Sequence, residues 1–234
     1  MLEIKESNIV VVKRRKDRVL LSDNIVYSRL KDGTIYTRSY WDYFSVLPAL
    51  YSNPKILMIG LGGGTIPYQI NHLFGSRAKI DVVEIDPNMV TASKAFLPGK
   101  IDANIIIEDG IAYVAKCKGE YDIIILDSFK KDNIPDPFFE EKFIENVYNA
   151  LTDDGVFAIN YTFSTIGVLR QHSYKAIMEK RFNVYAINLQ PMLANQIFIA
   201  SKRFSKEEML ELLEKGFPKD AENAFILNGY KRMG

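Results

Sequence analysis

Residues 55–70 read KILMIGLGGGTIPYQI, an apolar run, then Gly60-Leu61-Gly62-Gly63-Gly64, then a segment with helix-forming potential opening near Thr65. Lys55 to Ile59 lack polar alternation, as expected of a strand covered on both faces in a parallel sheet flanked by helices. Glycines without side chains let the backbone turn tightly and let a ligand approach closely. The spacing is GxGxG followed by Thr65, so the dinucleotide fingerprint GxGxxG is not met. Taken alone, the loop is weak evidence, and a plain strand-to-helix turn is the alternative to a ligand site.

The same rhythm continues outward. AKIDVVEID, NIIIEDG, YDIIILD, GVFAINY, RFNVYAIN and NQIFIAS follow KILMIG, mostly separated by segments long enough for a helix. Arg181 to Asn188 and Asn195 to Ser201 are joined too closely for a helical crossover, so that last pair is expected to be antiparallel. A class I S-adenosylmethionine methyltransferase-like Rossmann fold, seven-stranded and mostly parallel, is the expected α/β architecture. Upstream, Asn8–Val12, Arg18–Leu21, Asn24–Ser28 and Thr34–Arg38 alternate with turn signals and are expected to form a small antiparallel β-domain. The chain thus divides into residues 1–50, the small β-domain, and residues 51–234, a nucleoside-binding domain. Ser205-Lys206-Glu207-Glu208 has capping-box spacing and opens a terminal amphipathic helix.

Composition narrows the function classes. The 234 residues are 47% hydrophobic and 25% charged, a globular profile. With 30 Lys plus Arg against 29 Asp plus Glu, no net field recruits nucleic acid or an anionic membrane. One cysteine, Cys117, and two histidines, His72 and His172, provide neither an internal disulfide nor a structural zinc set, so no metal is expected. The N-terminal MLEIKESNIVVVKRRKDR resembles neither a signal peptide nor a membrane span. A cytoplasmic protein acting on a small molecule is the expectation.

Acids stand at the ends of successive strands. Glu84 follows the loop at nearly the ~20-residue spacing of a ribose-binding acid, and Asp86-Pro87 is suited to cap the next helix. Asp109-Gly110 ends the third run, where an acid could meet an adenine amino group. Asp127-Ser128 ends the fourth, beside the switch point at which open sheets bind ligands. Gly, Glu, Asp and Asp on four strand ends point to one shared site.

These residues resemble the spermidine synthases, the polyamine aminopropyltransferases. The resemblance runs from about Asp32 to Tyr161, through ILMIGLGGGT, VVEIDPNMV, EDGIAYV, YDIIILDS, FFEEKFIENVYNAL and DDGVFAINY. It implies that the glycine loop and Glu84 hold a nucleoside, Asp109 meets adenine, and Asp127 contacts the amine as base, with Tyr40 near the acceptor. It further implies decarboxylated S-adenosylmethionine as co-substrate, a small amine as partner, and a homodimer or homotetramer.

Two departures open alternatives. Gly63 stands where the family loop carries an aspartate that pairs with the donor's amine, and Lys130 stands where a second aspartate would grip a diamine. A methyltransferase using intact S-adenosylmethionine is therefore the second reading, and a catalytically silent nucleoside-binding homologue the third. Asp132, Asp136 and Asp42 are candidates to replace the missing acid, set against loop solvation and helix capping. Tyr36 stands where the family often has glutamine. DSFKKDNIPDP, Asp127 to Pro137, is expected to loop over the site, with Phe129 and Ile134 able to close on an acceptor.

Overall fold

The structure is a computed structural model that describes residues 2–3, 8–129, 134–162, 168–189, 195–217 and 221–234. A four-stranded antiparallel sheet comes first: β1 (Leu2–Glu3), β2 (Ile9–Arg14), β3 (Asp17–Ser22) and β4 (Ile25–Lys31). After α1 (Trp41–Phe44) and a 3-10 turn at Leu47–Leu50, the chain enters the alternating region. Its elements are β5 (Lys55–Ile59), α2 (Thr65–Phe74), β6 (Lys79–Glu84), α3 (Pro87–Phe96), β7 (Asn104–Ile107), α4 (Gly110–Val114) and β8 (Tyr121–Leu126). Then follow α5 (Glu141–Ala150), β9 (Leu151–Thr162), α6 (Val168–Glu179), β10 (Asn183–Asn188), β11 (Asn195–Ser201), α7 (Lys206–Gly216) and α8 (Ala221–Lys231).

The large sheet has seven strands in the order β10-β11-β9-β8-β5-β6-β7. Strands β5 to β9 pair in parallel, and β11 runs antiparallel to both β9 and β10, as the short connection requires. Because β5 sits between β6 and β8, the chain leaves it in one direction for β6 and returns on its other side at β8. Their carboxyl ends therefore diverge into a crevice.

The two faces of the sheet explain why these runs are apolar throughout. Ile56 and Met58 face one core with Phe44, Leu47, Ile66 and Leu213, while Leu57 and Ile59 face the other with Phe143, Ile144 and Val147. Adjacent strand residues point to opposite sides, so burial on both requires every position to be apolar. Each such side chain contributes roughly 1.5–3 kcal/mol. The small sheet packs Ile9, Val11, Leu20 and Leu30 on Met89, Ala92 and Phe96. Arg18 clamps that contact, donating to Asp32 at 2.7 Å and to the Phe96 carbonyl at 3.3 Å.

The strand expected at Thr34–Arg38 is not formed. The N–H groups of Thr37 and Arg38, which a ladder would need, donate instead to the Asp42 carboxylate at 3.0 and 2.7 Å, and Arg38 has φ +56°. The fourth strand of the small sheet is β1. Between the two sheets, α1 ends at Phe44 and a 3-10 turn containing Pro48 follows. Among the described residues no helix is long and apolar enough to cross a membrane.

Candidate active site

The carboxyl ends of β5, β6 and β8 open on a cavity of about 420 Å³. Of the residues singled out in the sequence, Gly60, Gly62, Glu84, Asp127, Ser128, Phe129 and Tyr40 line it. The glycine loop makes this convergence possible. A Cβ on Gly60 would lie 2.5 Å from the Asp127 carbonyl oxygen, and Gly60 has φ +91°, so only glycine lets the ends of β5 and β8 approach this closely. Gly64, with φ +76°, is the N-cap of α2.

Glu84 is 9% exposed, and its two carboxylate oxygens accept the N–H groups of Leu61 at 2.8 Å and Asp86 at 3.0 Å. Those bonds pin the side chain to the loop, and each oxygen keeps a further lone pair for a ligand hydroxyl. Burial raises its pKa against the opposing pull of these bonds. Asp86 caps α3 as expected, accepting the Asn88 N–H at 2.8 Å, and also lines the cavity.

At the other strand end, Asp127 accepts the Asn160 side-chain amide at 2.9 Å. The Asn160 oxygen in turn accepts from the Asn195 amide at 2.8 Å. Burial pushes the Asp127 carboxyl up to about 6, and the Asn160 bond opposes that rise. Tyr40 stays protonated, its pKa raised first by burial and then by the nearby Asp127 charge. The Tyr27 hydroxyl reaches the Phe129 carbonyl at 3.4 Å, so the small sheet contributes directly to the wall. A half-buried carboxylate of raised pKa beside a neutral phenol can receive a proton from a bound ammonium.

Among the glycine-loop and strand-end candidates, Gly63, Gly64, Asp109 and Gly110 do not line this cavity, nor does Tyr36. Gly63 turns toward the small sheet, where its N–H donates to Ser28 Oγ at 2.9 Å and a Cβ would sit 2.6 Å from that oxygen. Asp109 caps α4 through the Ala112 N–H at 2.8 Å, and a Cβ on Gly110 would strike Ile59 at 2.4 Å. Asp42 is 1% exposed and bonded to Thr37, Arg38 and Gln69, so it holds a loop rather than a substrate. Asp136 opens a 3-10 turn at Asp136–Phe139 and is not in the cavity lining. Ile134 is buried in the core under α5 rather than lining the cavity. Lys130 and Asp132 lie outside the described residues. Asn160, Asn195, Thr65 and Tyr27 line the cavity without having been singled out. Asn160 carried a readable signal: it is the one polar residue in the otherwise apolar VFAINY.

Residues 42–202 match the spermine/spermidine synthase domain. A polyamine aminopropyltransferase from Methanocaldococcus jannaschii is 30% identical over 232 residues, covering 89% of this chain and 74% of the relative. Other curated relatives are spanned over about half their length, 52% in one case. A probable spermidine synthase from Corynebacterium glutamicum superposes with a TM-score of 0.74 at 18% identity, over 99% of this chain and 93% of the other. Human methyltransferase-like protein 13, solved with SAH, superposes with a TM-score of 0.62 at 23% identity, over 80% and 89%. At these identities the structural likenesses establish the fold.

Proposed function

The chain belongs to the spermine/spermidine synthase family, and on that premise we propose that it transfers an aminopropyl group from decarboxylated S-adenosylmethionine to a small amine. One observation carries the choice of donor. Asp23, Glu84, Asp86 and Asp127 all line the cavity, and none of its described lining residues is Lys, Arg or His. A sulfonium with an ammonium tail suits that field. Intact S-adenosylmethionine would add a carboxylate, costing ~1–4 kcal/mol of repulsion for each acid within about 4 Å.

In this reading the loop backbone and Glu84 hold the nucleoside, Glu84 through its remaining lone pairs to the ribose hydroxyls. Ile85, 66% exposed at the cavity wall, offers an apolar face to the base, with Asp109 at the end of the neighbouring strand. The acceptor lies between Asp127 and Tyr40. Asp127 takes a proton from the ammonium, and the freed nitrogen lone pair attacks the carbon bonded to sulfur. The C–S bond breaks, its electrons return to sulfur, and methylthioadenosine leaves. A carboxyl of pKa about 6 is a better match to an alkylammonium than an ordinary aspartate, and alignment of the reactants supplies much of the remaining rate.

Methyl transfer from intact S-adenosylmethionine is the second reading; it rests on the family aspartate that is replaced by Gly63, a position that here faces Ser28 rather than the cavity. Calorimetry separates them through their products. Methylthioadenosine is expected to bind at least about tenfold more tightly than S-adenosylhomocysteine. The opposite order would replace aminopropyl with methyl transfer, and binding of either nucleoside without turnover of either donor would leave the silent homologue.

A further inference from the structure

Two buried oxygens on α2, Thr65 Oγ1 and Gln69 Oε1, have no hydrogen-bond partner among the described residues. Thr65 is 2% exposed and Gln69 fully buried, and four residues apart on a helix they share one face. Interiors seldom leave such atoms unpaired, and an unpaired atom beside a cavity marks the place for a ligand's donor. Thr65 lines the cavity, and Gln69 lies behind it, outside the lining.

The surroundings specify the kind of donor. The Gln69 amide nitrogen is committed to the Ile35 carbonyl at 2.8 Å and the Asp42 carboxylate at 2.6 Å, which fixes the amide and leaves its oxygen as a pure acceptor. Asp42 is nearly fully buried, and its described partners, Thr37, the Arg38 backbone N–H and Gln69, are all neutral donors. A carboxylate whose described hydrogen bonds all come from neutral groups puts negative potential behind the two oxygens. An ammonium, which has only donors and a positive charge, suits such a place, and it is the group that the donor's tail carries.

We propose that Thr65 Oγ1 receives the primary ammonium at the end of the donor's aminopropyl tail, with Gln69 Oε1 and the Asp42 carboxylate one helical turn behind it as the balancing negative groups. The inference rests on decarboxylated S-adenosylmethionine being the donor. Thr65 directly follows Gly64, so the loop that turns around the nucleoside also delivers this subsite. Asp127, by contrast, is held by Asn160 of β9, itself bonded by Asn195 of β11, which places the acceptor on another wall.

The test uses two nucleosides that differ in the aminopropyl tail and in the sulfonium charge that goes with it, so the comparison that decides is each one's change on substitution. Calorimetry of decarboxylated S-adenosylmethionine and of methylthioadenosine is run on the full chain and on Thr65→Val and Thr65→Ser. Thr65→Val is expected to weaken the decarboxylated donor about tenfold or more, as loss of a hydrogen bond to a charged group does, while methylthioadenosine binds within about twofold of the original. Thr65→Ser, which keeps the oxygen, retains donor affinity and separates its loss from a packing defect. Equal weakening of both nucleosides by Thr65→Val, or unchanged donor affinity, overturns the subsite. If the unaltered chain binds methylthioadenosine but prefers intact to decarboxylated donor, the proposed function fails as well.

Discussion

Asp127 is under two opposed influences: burial raises its pKa to about 6, and the Asn160 amide holds it down. In its proposed role as base it must be ionised, so kcat/KM is expected to fall as pH drops through about 6. Removing the amide with Asn160→Ala takes away the group that favours the ionised form, so the acidic limb moves to higher pH, by about half a unit or more. A pH–rate profile of both proteins checks the sign; a limb that moves down would mean that Asn160 does not act on Asp127. Gly63 makes a different residue-scale prediction. Its missing Cβ is filled by Ser28, so Gly63→Ala is expected to destabilise by about 1–3 kcal/mol. Ser28→Gly in the same chain is expected to recover much of that loss, a non-additivity visible in paired denaturant titrations.

The elements repeat the pattern at larger scale. Ser205 and Glu208 exchange reciprocal bonds across the start of α7, so Ser205→Ala is expected to cost about 1 kcal/mol in thermal or chemical unfolding with activity per folded molecule unchanged. That cap was legible because its signal is local, as were the buried strands and the Asp86 cap. Thr34–Arg38 misread as a strand for the converse reason. Its β-branched and aromatic residues satisfy the local pattern, but the partner that consumes its N–H groups, Asp42, lies beyond the segment and serves tertiary packing through Gln69. The site divides in the same way. Glu84 and Asp127 end strands and could be read from position, whereas Asn195 and Tyr27 reach the cavity only through strand order and the docking of the small sheet. Asp109 and Gly110 fitted the strand-end pattern yet serve a helix cap and a close contact with Ile59.

Over the whole molecule, function and stability oppose each other through charge. Asp42, Glu84 and Asp127 all have pKa values raised by burial. For such groups the folded state binds protons that the unfolded state has already released. The cost of ionisation is therefore absent below the unfolded value of about 4, grows as pH rises, and for Asp127 is complete above about 6. Asp127→Asn is expected to abolish turnover while stabilising the fold by about 1–2 kcal/mol at pH 8, a rise of several degrees in Tm, with a smaller gain at pH 5. Thermal melts at both values measure the difference; equal gains would remove Asp127 ionisation as the cause. The central claim is that this acidic cavity accepts a donor without a carboxylate. Its most direct test is product analysis with purified protein, a panel of small amines and each donor in turn. The account predicts methylthioadenosine and an aminopropylated amine from decarboxylated S-adenosylmethionine, lost in Asp127→Asn; S-adenosylhomocysteine and a methylated product from intact S-adenosylmethionine would contradict it.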